Sequence, residues 1–260
     1  MKKVRIGAVS CIYNTSLVDN VRRLAPYADD IELILYEFDK DSNYPGPGEI
    51  AELKELAANY DLTYTVHLPS ELGPHRVDLE WGRAAIDRWR CTIEASLALE
   101  PKAYIWHWEG EQWGWQPSAD LERWLTCTLE IAESFLKCHL VASELLCVEN
   151  LSYDYRLIAP HVEELGLSRC FDVGHAWATR RFSSSYLREC VAQARVFHLH
   201  GVSSGKDHIA LQPENGADLH EFVKNLILCQ GEPIVTLEVF SWKDWFESSC
   251  SLKRALKGII

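Results

Sequence analysis

Leu145-Leu146-Cys147-Val148-Glu149-Asn150 is an apolar run that ends on a carboxylate, and Arg169-Cys170-Phe171-Asp172-Val173-Gly174-His175 repeats that pattern a short helix later. Val196-Phe197-His198-Leu199-His200-Gly201 repeats it again, with imidazoles at the end. Each run is short and lacks polar alternation, as a parallel strand covered on both faces should. Outward in both directions the same unit recurs. The predicted strands are Arg5–Val9, Ile31–Leu35, Thr63–His67, Ala103–His107, Leu145–Glu149, Arg169–Asp172, Val196–Leu199 and Ile234–Val239. Helical stripes lie between them. One is Leu121, Trp124, Leu125, Thr128, Leu129, Ala132, Phe135 and Leu136; shorter ones are Ile50, Leu53, Ala57, Tyr60 and Leu219, Phe222, Val223, Leu226, Ile227. The final helix carries Trp242, Trp245, Phe246, Ser249, Leu252 and Leu256. Eight βα units imply an α/β fold, a single (β/α)8 TIM barrel over residues 1–260, close to the usual length of about 250. A doubly wound open sheet is the competing architecture, but no glycine-rich phosphate turn follows the first strand.

Composition narrows the function. A net charge of −12 argues against the broad basic face that a nucleic-acid partner needs. No apolar stretch reaches the roughly 18 residues of a membrane span, and none at the N-terminus resembles a signal peptide. Nine cysteines without a C-x-x-C pair fit reduced thiols and a cytoplasmic setting.

The ionisable residues fall in register. His67 ends the third strand, His107 the fourth, Glu149 the fifth and Asp172 the sixth. His198 and His200 end the seventh, Asp207-His208 lies in the loop that follows, and Glu238 ends the eighth. In a barrel these positions meet on the C-terminal rim, where such folds keep their chemistry. A single strand-end histidine is more often a hydrogen-bonded rim residue than a ligand; the repetition over six strands carries the inference. Clustered carboxylates repel and are costly to desolvate, so the ring calls for cations. Imidazole with carboxylate suits zinc, manganese or iron rather than calcium. His75, His139, His161 and His220 fall in loops or helices and read as surface or core-edge residues.

With these residues in place the sequence resembles the xylose-isomerase-like barrel superfamily, which includes endonuclease IV and the sugar epimerases. The resemblance implies that Glu149, Asp172, His198 and Glu238 hold one divalent metal. It implies that His67 and His107, with Glu149 as bridge, hold a second. His175 and His208 match two of three ligands of a third metal. Asp207 is the candidate for the remaining one, although Lys206 occupies the position where an aspartate is expected.

Four segments carry a closer resemblance, to the cobamide-remodelling phosphodiesterases of the CbiR type. They are Ile6-Gly7-Ala8-Val9-Ser10-Cys11-Ile12-Tyr13, Asp30-Ile31-Glu32-Leu33-Ile34-Leu35-Tyr36-Glu37, Leu62-Thr63-Tyr64-Thr65-Val66-His67-Leu68-Pro69 and Gly205-Lys206-Asp207-His208. This implies hydrolysis of the nucleotide-loop phosphodiester of a corrinoid, a small-molecule substrate. A metal pair suits such a reaction, since it neutralises the phosphate and acidifies water. Glu149 and Glu238 are then the catalytic carboxylates, Glu238 as a proton acceptor.

Tyr13, Tyr36 and Glu37, at the ends of the first two strands, are expected to face substrate, and Arg180, Arg181 and Lys206 to offer it positive charge. The arginines read equally as a solvated loop pair. Trp106, Trp108, Trp113 and Trp115 surround the fourth strand end. They suit either a flat ligand or the filling of a long loop. A one-metal sugar epimerase and a non-catalytic corrinoid carrier are the alternative functions.

Overall fold

The computed structural model describes residues 4–38, 41–70, 79–110, 118–229 and 231–259. In chain order the elements are β1 (Arg5–Val9), α1 (Leu17–Leu24), β2 (Asp30–Ile34), β3 (Glu37–Phe38), β4 (Asp41–Ser42), α2 (Pro47–Tyr60) and β5 (Thr63–His67). Then come α3 (Leu79–Ser96), β6 (Tyr104–Trp106), α4 (Leu121–Leu136), β7 (Leu146–Glu149), α5 (Ala159–Glu164), β8 (Ser168–Asp172), α6 (Val173–Ala178) and α7 (Ser184–Gln193). The chain ends with β9 (Ala194–Leu199), β10 (Gly201–Ser203), β11 (Lys206–Ile209), α8 (Gly216–Leu226), β12 (Ile234–Leu237) and α9 (Trp242–Ile259). Eight strands close a parallel barrel in the order β1-β12-β9-β8-β7-β6-β5-β2. All eight predicted strands exist, Arg5–Val9 and Thr63–His67 with the expected bounds and the others with ends displaced by one or two residues. Among the described residues no helix is long and apolar enough to cross a membrane.

Two compact units divide the chain. One comprises residues 1–32, 55–63 and 171–260. Within it α8 buries Leu219, Phe222, Val223 and Leu226, the predicted stripe less its last member, and packs against α7 and α9. Trp245 of α9 is buried and donates its indole N–H to the Gly7 carbonyl at 3.0 Å, which ties the last helix to the first strand. The stripe on α9 is narrower than expected, because Phe246 is exposed.

The other unit comprises residues 33–54 and 64–170. Its core is aromatic: Trp89 lies 5.0 Å from Trp106 and 5.2 Å from Phe135, ring centre to ring centre. Here α4 buries Trp124, Thr128, Ile131, Ala132 and Phe135, while Leu121, predicted to face inward, is exposed. The predicted stripe of α2 fails more fully. Leu53 is its single buried residue and Tyr60 is exposed.

Two hairpins add to the predicted elements. β3 pairs with β4, and β10 with β11, each antiparallel. The segment around Asp207-His208, expected to be a loop, is therefore a strand. Ser204 and Gly205 take φ values of 52° and 76°, the two positive angles of the turn that matches strand twist in a two-residue hairpin.

Candidate metal centre

The first cluster lies in the unit of residues 64–170. His67 is the last residue of β5, His107 follows β6, and Glu149 ends β7. The His67 Nε2 is 3.2 Å from the His107 Nε2, which is 3.0 Å from a Glu149 oxygen; His67 to Glu149 is 3.9 Å. The far side of each ring is anchored. His67 Nδ1 donates to the Leu68 carbonyl at 2.8 Å, and His107 Nδ1 lies 3.5 Å from the buried Glu109 carboxylate. With Nδ1 holding the proton, each Nε2 lone pair is directed inward, the arrangement that readies histidine for a metal. Burial depresses the His107 imidazole, but Glu149 and Glu109 outweigh it and raise the pKa from 6.5 to about 10.

The second cluster lies wholly in the unit containing residues 171–260. Asp172 ends β8 and caps α6, accepting the His175 N–H at 2.7 Å. His198 sits in β9, and its Nδ1 is 3.2 Å from the Glu238 carboxylate just beyond β12. One potential ligand atom from each of Asp172, His198 and Glu238 lies within 4.8 Å of the others. Asp172 and His198 are fully buried.

The donor sets fit divalent ions. Two nitrogen or oxygen ligands each about 2.1 Å from a common ion, at tetrahedral or octahedral angles, stand roughly 3.0–3.4 Å apart. The separations of 3.2, 3.0 and 3.2 Å above fall in that range, and His67 to Glu149, at 3.9 Å, lies beyond it. A carboxylate and imidazoles buried together without bulk water need such a charge, or protons, to be tolerated.

His175 and His208 come together as expected, but His200 joins them where Asp207 was predicted. Asp207 is exposed, whereas His208, which follows it on β11 with a φ of 49°, is half-buried. His200 is fully buried against α6, where a Cβ on Gly174 would come within 2.3 Å of its ring. Its Nδ1 lies 3.0 Å from the His208 N–H and 3.3 Å from the Gly201 carbonyl, its Nε2 lies 3.4 Å from Asp172, and against the effect of burial that carboxylate raises its pKa from 6.5 to about 9. His200 therefore supports Asp172 more naturally than it coordinates an ion.

The expected substrate residues are scattered in character. Trp108, read as either a ligand contact or a loop filler, is fully buried and packs edge-on against Trp106 at 5.6 Å, so it is core filling. Trp113 and Trp115 lie outside the described residues. Tyr13 is half-buried, stacked on Trp242 with the Arg23 guanidinium 5.1 Å above its ring. Tyr36 and Glu37 are half-buried, Glu37 lying 3.9 Å from Arg88. Arg180 and Lys206 are exposed, and Arg181 is half-buried.

Two site residues escape the sequence reading, each with a faint signal: Glu32 is a lone carboxylate inside the apolar run Ile31–Leu35, and Glu109 follows His107 by two. His200, expected on the rim with His198, has no role assigned to it by the sequence.

Compared with known proteins, residues 18–256 match the family described as xylose isomerase-like TIM barrel. Curated protein sequences give no match. Among solved structures, a D-tagatose 3-epimerase-like protein superposes with TM-score 0.75 at 21% identity, covering 100% of this chain and 98% of its own. Endonuclease IV from Thermus thermophilus gives 0.74 at 17%, covering 98% and 99%. The IolI protein, whose structure carries a zinc atom, gives 0.69 at 13%, covering 100% and 98%.

Proposed function

The chain belongs to the xylose isomerase-like TIM barrel family, and from that premise we propose that it is a metal-dependent phosphodiesterase hydrolysing the nucleotide-loop phosphodiester of cobamides. The observation that carries this reading is the His67/His107/Glu149 cluster. A one-metal epimerase has no use for two inward-facing imidazoles on a second carboxylate. Its members are held from behind by Leu68 and Glu109, which is the preparation expected of ligands rather than of rim residues.

Glu149 is proposed to be the bridge. It ends β7 and matches the bridging carboxylate that the sequence resemblance implies. Asp172, His198 and Glu238 complete the first metal's ligands, and the ions are zinc, manganese or iron. A bound pair supplies charge neutralisation at the phosphate and a water of lowered pKa. Glu238, partly exposed beside His198, accepts the proton released as water attacks phosphorus. Arg181 and Lys206 add positive charge near the phosphate. A third ion at His175 and His208 lacks an evident protein ligand in Asp207, so two ions are the proposal.

The substrate follows from the sequence resemblance and from charge. A single phosphodiester needs only a small basic patch, whereas duplex DNA needs many Lys and Arg contacts that a net charge of −12 does not favour. Metal-loaded protein should convert adenosylcobalamin to a corrinoid lacking its base, as cobinamide with ribazole phosphate or cobinamide phosphate with ribazole. Chromatography distinguishes these pairs. Incision of abasic duplex DNA with intact cobamide would refute the assignment.

The second reading is a one-metal sugar epimerase. It is favoured by Asp172, His198 and Glu238, whose ligand atoms converge without the histidine pair, and by the epimerase-like relatives in fold. Epimerisation of a ketose, with both phosphodiesters untouched, would establish it.

A further inference from the structure

Glu32 lies in the middle of β2, opposite Val9, and is fully buried. One of its oxygens is 2.9 Å from His198 Nε2; the other has no hydrogen-bond partner among the described residues. His198 is equally buried, and its second nitrogen faces the Glu238 carboxylate at 3.2 Å. Both faces of one imidazole thus meet carboxylates. A neutral ring has a single proton to offer, so only one face can be satisfied by hydrogen bonding. The closer contact is with Glu32. Placing the proton there leaves a lone pair on Nδ1 aimed at an anion, which is repulsive until a cation stands between them.

We propose that Glu32 is a positioning residue that fixes His198 as the Nε2–H tautomer and thereby presents Nδ1 to the metal. The inference rests on the metal-centre reading above and extends it to a residue outside the ligand set. Glu32 touches no substrate. Its effect passes through the orientation and basicity of His198, because a carboxylate behind an imidazole both holds the ring and strengthens it as a donor. Burial sharpens the effect, since no water can replace Glu32 behind the ring. The same logic explains a buried carboxylate between Ile31 and Leu33 of β2, whose other charged member, Asp30, accepts from the Thr63 hydroxyl instead. Without a partner of this kind, a buried carboxylate there would be strongly unfavourable.

The test uses chelator-stripped full-length protein, zinc as the probe, and a His67→Ala background to remove the first cluster's contribution. Zinc affinity is measured by competition with a chelator for Glu32, Glu32→Gln and Glu32→Ala. Loss of the carboxylate should weaken binding about 10–100-fold in Glu32→Ala, with Glu32→Gln between, because its amide oxygen still accepts the Nε2 proton. Unchanged affinity in both variants overturns the proposal and leaves the metal centre standing. Should Glu32→Ala not fold, nitrogen-15 NMR of the zinc-loaded wild type decides independently. His198 protonated at Nε2 and coordinated through Nδ1 supports it; the reverse assignment overturns it. Wild type that takes up no zinc refutes the metal centre and this inference together.

Discussion

The two ligand clusters are built from the same side chains but held in different ways. At His67, His107 and Glu149 the imidazoles lean on a backbone carbonyl and on Glu109, and both rings are partly open. At Asp172, His198 and Glu238 the central imidazole is sealed between β-strands and backed by Glu32 with no exposure at all. The contrast teaches that the central ring of the second cluster is held from behind by a buried side chain, not by the backbone. The first carries a proton that an ion must displace, and so is tuned by pH.

The largest expected effect tests the sealed cluster. His198→Ala or Asp172→Ala should remove the tightest metal equivalent and reduce turnover below detection, measured by elemental analysis and product chromatography. Full metal content in both variants would make this cluster a structural network. Glu238→Gln should keep the fold, weaken metal binding at this cluster and slow turnover by about 10²–10⁴-fold. Unaltered turnover would move the proton acceptor's role elsewhere.

Next in size is the open cluster. His107→Ala should lower the metal count by one equivalent and abolish phosphodiester cleavage, whereas an epimerase would be unaffected. The wild type should show the pH signature of this cluster. His107 rises from 6.5 to about 10 in the folded apoprotein, so its ion pairs contribute fully below about pH 6.5 and fade as pH approaches 10. The melting temperature of stripped protein should therefore fall over that interval, and the loaded protein should fall less. Zinc affinity at this cluster should rise with pH, at most about tenfold per unit, since each ion displaces one proton. A melting temperature that climbs towards pH 10 would contradict the buried ion pairs.

The smallest effects on catalysis belong to residues that the contrast leaves outside both clusters. Trp108→Ala should destabilise the fold by about 3–5 kcal/mol, as expected for a large buried side chain, and leave KM unchanged once the folded fraction is corrected for. Asp207→Asn should change neither metal count nor turnover. A loss of one metal in Asp207→Asn would restore that residue as a ligand.

His67, His107, Glu149, Asp172, His198 and Glu238 are legible in the sequence because a parallel strand buried on both faces has few reasons to end on an ionisable group. Repetition of that exception, strand after strand, also locates the eight βα units and the closed barrel. Sequence does not reveal which polar residues act behind the ligands. Glu32 and His198 lie far apart in the chain, and their meeting depends on the order of strands around the barrel. Nor does it separate Trp108 from a ligand platform, because an aromatic residue looks the same in sequence whether it fills a core or lines a cleft.

The exposure of Asp207 and the burial of His200 were decided in a similar way. The turn at Ser204 and Gly205 makes a hairpin of a segment that reads as a loop, and within it His208 takes a φ of 49°. Periodicity and strand-end chemistry are local properties, written in successive residues, so the sequence by itself determined the barrel and its candidate ligands. Tautomer, burial and the partner behind each imidazole depend on contacts between distant strands, and only the tertiary structure decided them.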